Sequence, residues 1–139
     1  MSDFLPESSI NLNRIFSILK NAFLKPELEG EGEIRVHLEN CIALISLDSD
    51  KKLIYMHAIF RFNDGARESD KFSFVNKLNQ QMIFCRFYTA GNSNGALISD
   101  YCLNYEEGLV PFHVVDALKW LNGVTIAAIK QHDDKNLVA

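Results

Sequence analysis

The sequence lacks the patterns that identify most enzymes and most nucleic-acid-binding domains. It contains no HExxH, no CxxC, no glycine-rich phosphate loop and no nucleophile elbow. It also has no run of five or six basic residues, and its 14 Lys and Arg residues are outnumbered by 18 Asp and Glu residues, for a formal charge of -4. We therefore expect a protein that is not an enzyme and whose partners are neither nucleic acids nor membranes.

Long hydrophobic runs and a secretory leader are absent as well. No apolar stretch approaches the roughly twenty residues of a membrane span, and the N-terminal MSDFLPESS has neither a basic nor an apolar region. We expect a cytoplasmic protein. Cysteine is scarce: Cys41, Cys85 and Cys102 are odd in number and widely spaced among apolar neighbours. In a reducing compartment this pattern indicates small core residues rather than a disulfide.

The size of the chain favours a single domain spanning residues 1–139. With 139 residues, 47% of them hydrophobic, the chain can bury one core but is too short for two comfortable ones.

The hydrophobic periodicity predicts three helices and five strands. Helical spacing covers about 9–24, 67–80 and 111–132, whereas alternation predicts strands at 34–38, 41–47, 53–62, 82–89 and 96–105. The acidic stretch 27–33 reads as a linker, and the tail 133–139 as frayed. The predicted order is α-β-β-β-α-β-β-α, a two-layer α+β domain with an antiparallel five-stranded sheet and its helices on one face.

Two asparagines stand out in the second predicted helix, whose buried side is expected to carry Phe72, Val75 and Leu78. Asn76 and Asn79 lie three positions apart on one face, although asparagine is a mediocre helix former. They are candidate structural amides that satisfy backbone groups where the helix ends. The alternative is a pair of ligand-binding amides.

The fourth predicted strand is apolar or aromatic on both faces. Ile83, Cys85 and Phe87, which we expect on the packed face, alternate with a second set formed by Phe84, Arg86 and Tyr88. A sheet covered on one side only normally carries polar residues on the other. Because aromatic residues and arginine are enriched at interfaces, we predict that Phe84, Arg86 and Tyr88 form an interaction surface, with extra packing inside the fold as the alternative.

No residue set points to a catalytic centre, a cofactor or a metal. His37, His57 and Cys41 are residue types that bind zinc, but both histidines lie on the polar side of their predicted strands. Cys85 would need a neighbouring base to act as a nucleophile. We expect no cofactor and no metal.

The C-terminal half resembles a known family. The resemblance rests on the VNxLN pattern, the RFY strand, a glycine turn and a GLV entry into the last helix; these residues are Val75, Asn76, Leu78, Asn79, Arg86, Phe87, Tyr88, Gly95, Gly108, Leu109 and Val110. This part of the chain resembles the YbjN-like family, bacterial proteins labelled sensory transduction regulators. The chain departs from the family in its hairpin turn, TAGNSNG, which lacks the usual acidic residues.

The resemblance implies a fold similar to class I type III secretion chaperones, which are small acidic cytoplasmic homodimers that bind extended segments of partner proteins. It implies no reaction. We therefore expect a non-enzymatic protein-binding or regulatory module that forms a homodimer and engages a segment of a partner protein. The expected mode of binding that segment is β-augmentation along a sheet edge. The alternative is a small-molecule or ion-sensing regulatory domain.

Overall fold

The computed structural model describes residues 4–139. Three helices pack on a six-stranded antiparallel sheet. The elements are α1 (Leu12–Asn21), β1 (Pro26–Glu29), β2 (Glu33–His37), β3 (Ile42–Asp48), β4 (Leu53–Arg61), α2 (Glu68–Gln81), β5 (Arg86–Ala90), β6 (Ala96–Asn104) and α3 (Pro111–His132). The strand order in the sheet is β1-β2-β3-β4-β6-β5. Among residues 4–139, no helix is both long and apolar enough to cross a membrane.

The helices cover one face of the sheet, as the alternation predicts. In β4, the side chains of Ile54, Met56 and Ala58 are fully buried, whereas their neighbours Tyr55 and His57 are only half-buried. Because successive strand residues point to opposite faces, the buried set must face the helices. The core is closed by buried helix residues: Ile15 and Leu19 of α1, Phe74 and Leu78 of α2, and Leu118 and Leu121 of α3.

The prediction of five strands was wrong, because the stretch read as an acidic linker contains the edge strand β1. This strand pairs with β2 in the register Glu27 to Arg35. Glu27, Leu28 and Glu29 of this strand are all exposed, so the sequence shows no alternation of buried and exposed residues there. Cross-strand charge pairs hold it instead: Arg35 Nε lies 2.9 Å from a Glu29 oxygen, and His37 Nε2 lies 3.1 Å from Glu27 Oε2.

The phase of α2 also differs from the prediction. Lys71, Phe74 and Leu78 are its buried residues, whereas Phe72 is exposed and Val75 is half-buried. The lysine was overlooked because its charge suggests a solvated position. Its aliphatic stem is buried, while Nζ donates to the Ser93 carbonyl at 3.1 Å and lies 5.2 Å from the centre of the Phe62 ring.

The connection from α2 to β5 is longer than predicted. The helix ends at Gln81 and the strand begins only at Arg86, so residues 82–85 lie outside the sheet. Ile83, predicted to face the core, is fully exposed. The strand alternation therefore cannot be extended backwards from Phe87.

The C-terminal tail is ordered, and the prediction of fraying was wrong. The Asp133 carboxylate accepts the backbone N–H groups of Leu137 and Val138 at 2.7 and 2.9 Å. The Leu137 carbonyl accepts the Asn63 N–H at 2.7 Å, and Val138 forms a β-bridge with Phe62. Both apolar tail residues are buried, so the tail closes one end of the core.

At the opposite end, a glycine lets the N-terminal segment reach the start of α3. Leu5 and Leu109 exchange two backbone hydrogen bonds of 2.7 and 2.8 Å. Gly108, which directly precedes Leu109, has a φ of +108°. A Cβ at this position would overlap the Phe4 ring and lie 2.8 Å from the Leu5 carbonyl oxygen. Only glycine fits both conditions.

Candidate functional site

The face of the sheet that carries no helix forms three rows of side chains across the strands, and we call it the open face. The strand register defines the rows. The apolar row is Tyr88, Ile98, Ile59 and Ile42; the charged row is Arg86, Asp100, His57, Leu44, Arg35 and Glu27; the third row is Cys102, Tyr55, Ser46 and Glu33.

A buried carboxylate lies at the centre of the charged row. Asp100 is 6% exposed. Arg86 donates two hydrogen bonds to its carboxylate, from Nε to Oδ1 at 3.0 Å and from Nη2 to Oδ2 at 2.6 Å. On the other side, His57 Nε2 lies 4.0 Å from Asp100 Oδ2. The hydrogen bonds and negative charge of Asp100 raise the pKa of the Arg86 guanidinium. The outer side of Arg86 remains solvent-exposed, so the pair presents a fixed cation on the open face.

Tyr88 joins the charged row to the apolar row. Its ring centre lies 5.4 Å from the Arg86 guanidinium carbon, and the strand register places it opposite Ile98. Burial raises the pKa of the Tyr88 hydroxyl, and the negative charge of Asp100 raises it further. Ile98 is itself buried, whereas Ile59 and Ile42 are half-buried on this open side. The result is an aromatic and aliphatic strip beside an arginine.

Of the three predicted interface residues, Arg86 and Tyr88 share the open face but Phe84 does not. Phe84 precedes β5 and stacks on Tyr101 with ring centres 4.5 Å apart and planes 10° apart. The ring of Trp120 in α3 is also near Phe84, with ring centres 6.1 Å apart and planes tilted by 34°. The placement of all three on one face was therefore wrong, because the chain reaches Phe84 before the strand alternation starts.

The two asparagines have different surroundings. Asn79 uses its whole amide on β5: Nδ2 donates to the Phe87 carbonyl and Oδ1 accepts the Phe87 N–H, both at 3.0 Å. Asn76 is exposed. Because β5 is an edge strand, Asn79 takes the place that a further strand would occupy at Phe87. The two amides do not converge on one ligand, and Asn79 satisfies backbone groups, although in the strand and not at the helix end.

The cysteines differ in environment. Cys85 is half-buried just before β5, and desolvation raises its pKa to about 11 against a weaker opposing effect of the Thr125 hydroxyl. Burial likewise raises the pKa of Cys41 to about 11, and its Sγ lies 3.3 Å from Asn122 Oδ1. A raised thiol pKa disfavours the nucleophilic thiolate. Cys102 is exposed on the open face.

Residues 4–139 contain no group of three His, Cys, Asp or Glu side chains placed to hold a metal ion. His37 pairs with Glu27 at the sheet edge, and His57 lies between Tyr55 and Asp100. The two histidines and Cys41 therefore do not form a shared site.

Sequence reasoning missed Asp100 and the role of His57 beside it. A signal was present in ALISDYCL, where one acidic residue interrupts an apolar strand. What could not be read was its partner: Arg86 and His57 meet Asp100 only through the registers of β5 with β6 and of β4 with β6.

The comparisons with known proteins show the fold. No family model and no curated protein matches the sequence. Among solved structures, the chain is similar to YbjN, "a putative transcription regulator from E. coli", with a TM-score of 0.76, 12% identity and coverage of 97% of this chain and 98% of that one. It is also similar to an uncharacterized protein from Methanothermobacter thermautotrophicus, with a TM-score of 0.66, 10% identity and coverage of 89% and 97%. The chain therefore has a YbjN-like fold.

Proposed function

We propose that this protein is a non-enzymatic, cytoplasmic regulatory module that binds protein through the open face, first of all as a homodimer. The observation that carries the proposal is the strip formed by Tyr88, Ile98 and Ile59 beside the Arg86–Asp100 pair. Interfaces are enriched in aromatic residues and arginine around a desolvated centre. The description of the E. coli structural neighbour as a putative transcription regulator supports a regulatory role.

The groups on this part of the molecule are better suited to binding than to catalysis. Asp100 is held by two hydrogen bonds from Arg86, and the raised pKa of Cys85 disfavours its thiolate. A general base or a nucleophile must instead have an available lone pair near neutral pH. These features support a function without chemistry.

The charged row favours one dimer geometry. It runs from Glu27 on β1 to Arg86 on β5, so its ends carry opposite charges. A two-fold axis parallel to the strands would lay β1 of one copy over β5 of the other and bring these charges together. An axis along the row would instead place like charges opposite each other, at an electrostatic cost.

The sheet edges favour binding through the face over β-augmentation. At β5, the outward backbone groups of Phe87 are already bonded to Asn79. At β1, the His37 N–H donates to the Lys25 carbonyl, so by alternation the outward positions are Pro26, which has no N–H, and Leu28. A partner strand would find few free donors at either edge.

Light scattering after size exclusion tests the homodimer. We expect a mass of twice 15.8 kDa at micromolar concentrations, and a shift to the monomer for Ile59→Lys, which places a charge in the apolar row. Phe72→Lys is the matched control, because Phe72 is an exposed apolar residue on α2. Circular dichroism must show both variants folded. A wild-type monomer, or equal behaviour of the two variants, would refute the dimer.

A small-molecule or ion-sensing domain is the second candidate. A cleft of about 570 Å³ opens beside the exposed side of Arg86, between Tyr55, Cys85 and Cys102. An anionic metabolite could use the arginine there. A thermal-shift panel separates the two functions, since a ligand at a hundred times its Kd adds about 2.7 kcal/mol to the free energy of unfolding. Stabilisation that Arg86→Ala abolishes, in a monomeric protein, would favour sensing.

A further inference from the structure

A second candidate binding surface lies in the helical layer, on the opposite side of the molecule from the open face. A groove of about 590 Å³ runs between α1 and α3, and we call it the α1–α3 groove. Its apolar lining is Leu5, Ile18, Ala22, Pro111, Phe112 and Val115.

Most of the lining comes from one row of side chains along each helix, and Ser17 and Asn21 form a second row on α1. Residues 14 and 18 of α1 and residue 22 at its C-cap are four apart, and so are residues 111, 115 and 119 of the α3 row. The main row on each helix spans eight residue steps, about 12 Å at 1.5 Å per residue. Two such rows form the kind of trough into which a third helix packs. A helical segment of about ten residues matches its length.

The large apolar side chain that solvent reaches in the groove is Phe112, whereas Ser17 and Asn21 add exposed polar groups on the α1 side. Phe112 in the first turn of α3 is 66% exposed, although it is flanked by the groove residues Pro111 and Val115. A large exposed side chain next to an apolar trough is the arrangement that helix-in-groove recognition uses.

The rim of the groove is basic in a protein that is acidic overall. Arg14 and Lys119 line it from the two helices, and neither pairs with a carboxylate among residues 4–139. The sequence of α1, LNRIFSILKN, contains no acidic residue, whereas the whole chain has a net charge of -4. The charge of the groove therefore complements an acidic ligand.

We propose that the α1–α3 groove binds an acidic amphipathic helical segment of a partner protein. Its apolar residues, spaced three or four apart, would lie on Ile18, Phe112 and Val115, and its carboxylates would flank Arg14 and Lys119. The concave shape favours a peptide over a membrane surface, since two basic residues give only weak attraction to anionic lipid. This site is independent of the open face.

A peptide selection tests the site. A random library of 16-residue peptides on phage is selected in parallel on the wild-type protein and on the Arg14→Glu, Lys119→Glu double variant. We expect the wild type to enrich peptides with a net negative charge and apolar residues at helical spacing, and the double variant not to enrich them. Equal enrichment on both proteins, or enrichment of basic peptides, would overturn the proposal.

Fluorescence anisotropy with one enriched peptide then locates the contact. The double charge reversal should weaken binding about tenfold in low salt, and Phe112→Ala should weaken it about fivefold. Phe72→Ala and Lys130→Glu are the controls, as an exposed phenylalanine on α2 and a basic residue at the far end of α3, and both should bind within about twofold of the wild type. Losses as large in the controls would refute the site.

Two further measurements separate this site from its alternatives. Ile59→Lys on the open face should bind the peptide like the wild type, whatever the oligomeric state of the protein, so each proposal can fail alone. Co-sedimentation with phosphatidylserine vesicles tests the membrane alternative. If the wild-type protein binds the vesicles and the Arg14→Glu, Lys119→Glu variant does not, the ligand of the groove is a membrane surface and the proposal is overturned.

Discussion

The amide of Asn79 should stabilise the protein through its two hydrogen bonds to β5, and Asn76 provides the matched control. Both asparagines lie in α2, three residues apart, but only Asn79 bonds the N–H and the carbonyl of Phe87, at 3.0 Å each. Asn→Leu removes an amide and raises helix propensity at either position. The difference between the two variants therefore isolates the bonds to Phe87.

The expected loss follows from the number and exposure of these bonds. A net contribution of about 0.5–1.5 kcal/mol for each gives about 1–3 kcal/mol in total. Because Asn79 is exposed, water can partly replace its amide, so we expect Asn79→Leu to lose about 1–2 kcal/mol. Asn76→Leu should stay within about 0.5 kcal/mol of the wild type. Asn79→Asp should also destabilise, because it faces the Phe87 carbonyl with a carboxylate in place of a donor.

Urea unfolding followed by far-ultraviolet circular dichroism measures these free energies. Amide hydrogen exchange adds a local readout. The Phe87 N–H should exchange faster than in the wild type in Asn79→Leu and at the wild-type rate in Asn76→Leu. Equal urea midpoints for the two leucine variants, with Phe87 equally protected in both, would refute the reasoning that the side chain of α2 completes the edge of the sheet.

Three further predictions follow from the backbone and the thiols. Gly108→Ala should lower the free energy of unfolding, measured by urea unfolding, by more than about 2 kcal/mol, because φ is +108° and a Cβ would overlap neighbouring atoms. Gly123→Ala is the comparison: a Cβ there meets open space on α3, so the free energy of unfolding should rise by about 0.5–1 kcal/mol. Phe23→Gly should raise the free energy of unfolding by about 0.5–1 kcal/mol in the same assay, because Phe23 is 94% exposed and has a φ of 64°. A urea midpoint below that of the wild type would contradict this. At pH 8, Ellman's reagent should label Cys102 long before Cys85, because the pKa of about 11 leaves Cys85 only about 0.1% thiolate. Cys102→Ser should remove the fast phase of labelling, and a fast phase that survives in this variant would contradict the assignment.

The order of the elements could be predicted from the sequence because periodicity reports burial directly. The strands β2, β3 and β4 alternate between buried and less buried residues, β6 is buried throughout residues 97–100 and alternates only after them, and the helices have apolar residues at three- and four-residue steps. The strand β1 has no such pattern, since it is held by the Glu29–Arg35 and Glu27–His37 pairs. The ordered tail was missed for a related reason, because the side chain that fixes it, Asp133, makes hydrogen bonds to backbone groups that no sequence pattern reveals.

The candidate site could be predicted only in part. Arg86 and Tyr88 were found because they lie on one strand, two residues apart, and any extended segment puts them on the same side. Phe84 was assigned to the same side because the start of β5 was placed too early. His57 lies 43 positions from Asp100 in the chain, so their contact depends on long-range pairing, which periodicity within one segment does not contain.

The pair of Asp100 and Arg86 also explains why the observed register of β6 with its neighbouring strands is the stable one. The residues on either side of Asp100 in β6, Ser99 and Tyr101, face the helices, and Ser99 Oγ lies 2.7 Å from the buried Thr125 hydroxyl. A slip of one residue would turn the Asp100 carboxylate into that core and expose apolar side chains on the open face. An unpaired charge buried in the core costs several kcal/mol, whereas in the observed register Arg86 satisfies both carboxylate oxygens. The residue that gives the open face its charge therefore also disfavours the alternative pairing of the strand that displays it.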